Sequence, residues 1–162
     1  MKHVLFSTLA AAALAGCAAM SQESASTQAG APKEMKVAFD ITDGNPQALI
    51  TKLTVIDLTR KQLIDSGVTP KMVLAFRGDA SYFTQTNLGA IKEADRADAL
   101  QIAAKLRELS KANGVETLEQ CNVPLASRKL KPADLMQEVK LVPNGWISLV
   151  HYQEKGYSYI VP

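Results

Sequence analysis

Cysteine is the scarcest informative residue in this chain: 162 residues carry two, Cys17 and Cys121. That number excludes a disulfide framework of the kind small secreted scaffolds use. Histidine is as rare, with His3 and His151 alone, and neither has a second Cys or His at ligand spacing, so no metal site is expected. The formal net charge of +2 gives no electrostatic footprint for a nucleic-acid partner. There is no Gly-x-Gly-x-x-Gly, no phosphate loop, no Gly-x-Ser-x-Gly elbow and no His-Glu-x-x-His. Hydride transfer, nucleotide hydrolysis, serine esterase chemistry and zinc proteolysis therefore lose their usual supports, and no cofactor is expected. No apolar run reaches the roughly 20 residues of a membrane-spanning helix.

The N-terminus is more telling. Lys2 and His3 precede an apolar run from Val4 to Leu14, broken only by Ser7 and Thr8, which ends in Leu14-Ala15-Gly16-Cys17. A cationic end, an apolar centre and small residues before a cleavage point are the parts of an export signal, here residues 1–16. Leu-Ala-Gly-Cys resembles the lipobox of bacterial lipoproteins. That resemblance implies a diacylglycerol on the Cys17 sulfur, then a further acyl chain such as palmitate on the new amino terminus. The expected partner is thus a membrane, held through the lipid on Cys17. Ala18, in the place where an aspartate retains lipoproteins at the inner membrane, implies an outer-membrane anchor facing the periplasm. The alternative is an ordinary secreted protein in which Cys17 merely follows the leader. Residues 17–34, rich in Ala, Ser, Gln and Gly, cannot bury a core and read as a linker.

From residue 35 short extended runs alternate with helical ones. MKVAFDI (35–41) predicts a strand. Asn45-Pro46 then supplies a capping oxygen and a helix-ready proline, and Leu49, Leu53, Ile56, Leu63 and Ile64 follow at helical spacing before Gly67. Val68-Thr69-Pro70 reads as a loop, and KMVLAF (71–76) as a central strand. Residues 79–96 show no period. Ala99 to Ala112 predict a helix stopped by Asn113-Gly114, and VETLEQ (115–120) a third strand. A short helix opens at Lys131-Pro132, VKLVP (139–143) is a fourth strand, a helix runs from Asn144-Gly145 to Gly156, and YSYIV (157–161) closes the series. Alternating strands and helices of this length predict an α/β fold, a three-layer α/β/α sandwich around a mainly parallel five-stranded sheet.

In such sheets ligands bind at the carboxyl ends of the strands. Three segments follow those ends: Thr42-Asp43-Gly44-Asn45, Arg77-Gly78-Asp79 and Cys121-Asn122-Val123-Pro124. Once Cys17 is acylated, Cys121 is the one remaining thiol, so it has no intramolecular partner. Its place suits chemistry if cations or oriented amides lie nearby, for which Arg77 and the run Arg128-Lys129-Leu130-Lys131 are candidates. The competing reading is a buried, inert cysteine. His151 reads as a surface or packing residue.

The stretches VAFDITDGNPQALITKL (37–53), MVLAFRG (72–78), EQCNVPL (119–125) and LVPNGWISLVHYQEKGYSYIVP (141–162), with their spacing, resemble the DsrE-like (DsrE/DsrF-like) family, small α/β proteins associated with sulfur transfer. The resemblance covers residues 35–162. It implies that Cys121 accepts sulfane sulfur as a persulfide, with Asn122 beside it and Arg77, Gly78 and Asp43 as ligand-binding positions. It also implies a donor or acceptor protein for that sulfur, and a homo-oligomer, for which Trp146, Tyr152, Tyr157 and Tyr159 are the candidate aromatic contacts. Export and a lipid anchor depart from the family's cytoplasmic relays, and Val123-Pro124 departs from a polar continuation after Cys-Asn. The rival expectation is a non-catalytic ligand-binding or assembly module of the envelope in which Cys121 only packs.

Overall fold

Val37 to Ile41 and Met72 to Phe76 are buried at every position, as strands inside a parallel sheet covered on both surfaces must be. The computed structural model describes residues 33–162; the expected leader, Cys17 and the expected linker through residue 32 lie outside the described residues. The five strands are β1 (Glu34–Ile41), β2 (Thr69–Phe76), β3 (Val115–Cys121), β4 (Val139–Val142) and β5 (Ser158–Ile160). They form one all-parallel sheet in the order β4-β3-β2-β1-β5.

Four α-helices connect them: α1 (Pro46–Asp65), α2 (Arg96–Leu109), α3 (Val123–Ser127) and α4 (Gly145–Glu154). The Asn45 side chain accepts the Ala48 N–H at 2.9 Å, and Pro46 occupies the first helical position of α1. Leu49, Leu53 and Ile56 of α1 and Ile102, Leu106 and Leu109 of α2 then bury against Phe39, Leu74 and Phe76 of the sheet. The opposite face holds a smaller core, Ala38, Val73 and Ala75 beneath Leu149 of α4. Alanines there let a single helix lie close to the sheet.

Three departures from the sequence expectations have local causes. Thr69 and Pro70 belong to β2 instead of a loop, because a proline is tolerated at the start of a strand where its missing N–H costs no ladder bond. Gly114 (φ +90°) packs against that proline, and a Cβ there would lie 2.5 Å from Pro70 Cγ. Residues 78–95 fold into 3-10 turns, Gly78–Thr84, Leu88–Ala90 and Glu93–Asp95, whose three-residue period hides them from a search for helical spacing. After β3 the short helix α3 comes first, and the helix expected near Lys131 is one 3-10 turn, Pro132–Asp134.

One buried ion pair fixes the outer layer. Asp57 on α1 accepts from Arg60 Nε at 2.9 Å and Nη2 at 2.8 Å, and lies 2.7 Å from Lys61 Nζ. Arg60 Nη1 in turn donates to the Asn113 carbonyl at 3.0 Å, tying α1 to the turn before β3. Burial alone would raise the Asp57 carboxyl, but Lys61 and Arg60 outweigh it and hold it below the usual carboxylate range. Replacing Asp57 with Ala is expected to cost about 1–3 kcal/mol, because it leaves the half-buried Arg60 guanidinium without its carboxylate. The contribution is present in full at neutral pH, where both folded and unfolded carboxyls are ionised. It declines as pH falls below the unfolded-state value of about 3.9 and vanishes once the lower folded-state value is passed. Urea melts of native protein and Asp57→Ala across acid pH check this; a stability gap that did not narrow with acid would remove Asp57 as its source.

Candidate functional site

Strands β1 to β4 step across the sheet in one direction, and right-handed crossovers place every connection among them on one face. Leu135 and Met136, between β3 and β4, accordingly join the core made by α1 and α2. The chain leaving β4 must then return past β1 to become β5, which sends α4 across the other face. Chains leaving the neighbouring ends of β3 and β4 therefore part to opposite sides, and the crevice opened by such a reversal is where open α/β sheets bind ligands. Cys121, the last residue of β3, pairs with Val142, the last of β4.

A cleft of about 250 Å³ occupies this point, with Cys121 at its floor and Arg77, Gly78, Pro124, Arg128, Asn144 and Trp146 among its walls. Cys121 is 4% exposed. Its Sγ accepts the backbone N–H of Gly145, the first residue of α4, at 3.1 Å. The first N–H groups of a helix have no partner within it, and they form the positive end of its dipole. A sulfur held there sits where negative charge is stabilised. Asn144 caps the same helix by accepting the Trp146 N–H at 2.9 Å.

Arg77 is set by a second buried carboxylate. Its Nε donates to Asp40 Oδ1 at 2.7 Å and its Nη2 to Oδ2, while Tyr159 on β5 donates to the same carboxylate at 2.7 Å. The guanidinium carbon lies 5.3 Å from the centre of the Trp146 ring. The Asp40 hydrogen bonds, reinforced by its charge and by Tyr159 and Cys121, push Arg77 further above the ordinary guanidinium range despite burial. Tyr159 rises as well, chiefly through its bond to Asp40. On the other wall Arg128 donates Nε and Nη2 to Asp79 Oδ1 at 2.8 and 2.6 Å. Behind the sulfur, Gln120 Nε2 donates to the Cys121 carbonyl and to Ser81 Oγ, both at 2.7 Å, fixing the end of β3.

Of the positions expected from sequence, Cys121, Arg77 and Gly78 meet in this cleft. Asn122 turns away into solvent, its backbone N–H donating to the Val142 carbonyl. Asp43 pairs with Lys52 of α1. The run 128–131 contributes Arg128 alone, and His151 lies exposed on α4. Asn144 and Gly145 entered the sequence reading only as a helix start, and Trp146 as a candidate aromatic contact; the signal in them is a cap at the end of a strand. Of the four candidate aromatic contacts, Trp146 and Tyr159 are exposed, whereas Tyr152 and Tyr157 are half-buried and pack edge to face, ring centres 5.0 Å apart.

Gly145 is the tightest point of the site. A Cβ there would lie 2.6 Å from Arg77 Cδ, 2.9 Å from Arg77 Cγ and 3.0 Å from Cys121 Cβ. Gly145→Ala must push α4 off the sheet or displace the Arg77 stem, at a cost of about 1–3 kcal/mol. A chemical melt should show that loss, and an unchanged midpoint would mean that the helix start is not held against β3.

A sequence profile described as the DsrE/DsrF-like family matches residues 35–162. An uncharacterized protein of Aquifex aeolicus (strain VF5) is 25% identical over 126 residues, 78% of this chain and 55% of that protein, so the chain spans about half that relative's length. A solved structure of a protein of unknown function from Methanobacterium thermoautotrophicum is similar with a TM-score of 0.56 at 16% identity, over 79% of this chain and 99% of that one, a likeness of fold. The profile takes in all five strands and the thiol cleft, and the chain belongs to the DsrE/DsrF-like family.

Proposed function

We propose that Cys121 carries sulfane sulfur as a persulfide, and that the domain does so at the cell envelope, tethered through a lipidated Cys17. The observation that carries the sulfur reading is the Gly145 N–H on Cys121 Sγ, at the positive end of α4 and within a cleft walled by two arginines. In the step proposed, the Cys121 thiolate attacks the outer sulfur of a donor persulfide. An Sγ–S bond forms, the donor's S–S bond breaks, and the donor leaves as a thiolate with the bonding pair. A sulfur atom moves with no net oxidation, so no cofactor is needed. Arg77 and Arg128 supply positive charge for an anion that would extend into the cleft from Sγ.

Purified protein treated with a polysulfide donor should gain mass in steps of one sulfur atom, located to the peptide that contains Cys121 and reversed by a thiol reductant. Cys121→Ser should lose this gain while melting at a similar temperature, since the change is nearly isosteric and removes mainly the soft nucleophile. The burial of the thiol favours the rival reading, in which Cys121 only packs. Native protein that resists both polysulfide and a small alkylating reagent until denatured would establish that rival and end the persulfide proposal.

The tether rests on Leu14-Ala15-Gly16-Cys17 following a cationic, then apolar, leader. In cells, Cys17→Ser should abolish incorporation of labelled fatty acid and release the protein from the membrane fraction. Lipid labelling that survives this substitution rules Cys17 out as the attachment site.

A further inference from the structure

Glu119 lies two residues before Cys121 on β3, so both side chains point to the face covered by α4. It is 2% exposed. Among the described residues no cation lies within ion-pair distance of it. Its Oε2 accepts from Ser148 Oγ, and its Oε1 accepts from Tyr152 Oη at 2.9 Å. A carboxyl taken out of water with only hydroxyl donors is an expensive way to fill space, and an aliphatic side chain would pack there at less cost.

The two donors explain the placement. Ser148 and Tyr152 are four residues apart, hence on one face of α4, and they grip one carboxyl between them. Beyond the contacts of Gly145 at its start, the packing of this helix does little to fix it along its axis. Leu149 is its one fully buried large side chain, and the core beneath it consists of alanines and a valine. Apolar contact of that kind does not resolve a slide of an ångström, whereas two hydrogen bonds to one carboxyl do. The same strand thus carries the sulfur at its end and, two residues earlier, the carboxyl that both hydroxyls of α4 meet.

We infer that Glu119 is a positioning residue for Cys121: by clamping Ser148 and Tyr152 it holds α4 so that the Gly145 N–H and the helix terminus bear on the sulfur. The inference deepens the persulfide reading and rests on it for its purpose, but its geometry can be measured without any sulfur transfer.

The Gly145 N–H has no acceptor within its own helix, so its protection from hydrogen exchange reports the bond to Sγ. In the full chain, Glu119→Ala should speed Gly145 exchange about tenfold relative to the core amide of Val73, as expected for losing one hydrogen bond of ordinary strength. Sulfur uptake at Cys121 should slow by a similar factor. Glu119→Gln, which keeps an acceptor and lets the hydroxyls reorient, should restore most of both. Should Glu119→Ala fail to fold, the double substitution Ser148→Ala, Tyr152→Phe removes the donors and leaves the carboxyl. A folded Glu119→Ala or double variant that melts at lower temperature yet keeps native Gly145 protection relative to Val73 overturns the inference, because Glu119 would then be stabilising the fold without placing the helix. Gly145 exchange that responds as expected in a protein that takes up no sulfur would leave the clamp standing and remove the persulfide reading.

Discussion

The handedness of parallel crossovers constrains everything at the thiol. Three successive right-handed connections can lie on one face, but the fourth must run backwards over the sheet to place β5 beside β1, and only the opposite face accepts it. Without that return, the segments leaving β3 and β4 would follow the same side and cover one another. With it, they part, and a cleft opens between the last residue of β3 and the first turn of α4. The nearness of the end of β3 to the start of α4 therefore follows from strand order before any side chain in the cleft is considered.

The two faces of the sheet are unequal as a result. Two long helices bury leucines, isoleucines and phenylalanines on one side, where packing dominates. A ten-residue helix lies alone on the other, over Ala38, Val73 and Ala75, and that face carries two buried acidic side chains, Asp40 and Glu119. Both serve residues at the cleft. Asp40 receives a bidentate arginine and a tyrosine and so holds Arg77 beneath Trp146. Glu119 receives two hydroxyls from α4. Stability comes largely from the first face, and the second is free to hold polar groups that a pure packing layer would exclude.

Much of this architecture was legible in the residues. The runs at 35–41 and 71–76 and the Asn45-Pro46 cap are local signals that the structure keeps, whereas α2 stops at Leu109, four residues before the expected end at Asn113-Gly114. Strand order was not legible, because it depends on which remote segments pair, and the value of each loop at a strand end depends on that order. Asp43 and Arg77 follow β1 and β2, and Cys121 ends β3, yet β2 separates β1 from β3, so Asp43 falls away from the cleft and meets Lys52 instead. Asn122 follows the cysteine directly but points outward, because the strand has ended and α3 has begun. Local pattern thus finds the carboxyl edge of the sheet, and topology alone says which residues along it meet.

Gly145 shows why the most informative residue of the site was also among the hardest to single out. After an asparagine and before an apolar stretch it reads as an ordinary helix start, and its conformation is one that any residue can adopt. What demands glycine is the absence of room: Arg77, just after β2, and Cys121, at the end of β3, close on its α-carbon. That demand cannot be inferred from neighbours in the chain, since neither residue is within 20 positions of it. It appears only when β2, β3 and the start of α4 converge. The same crowding brings a backbone N–H within reach of sulfur, because a side chain at this position would hold the helix terminus away from the thiol.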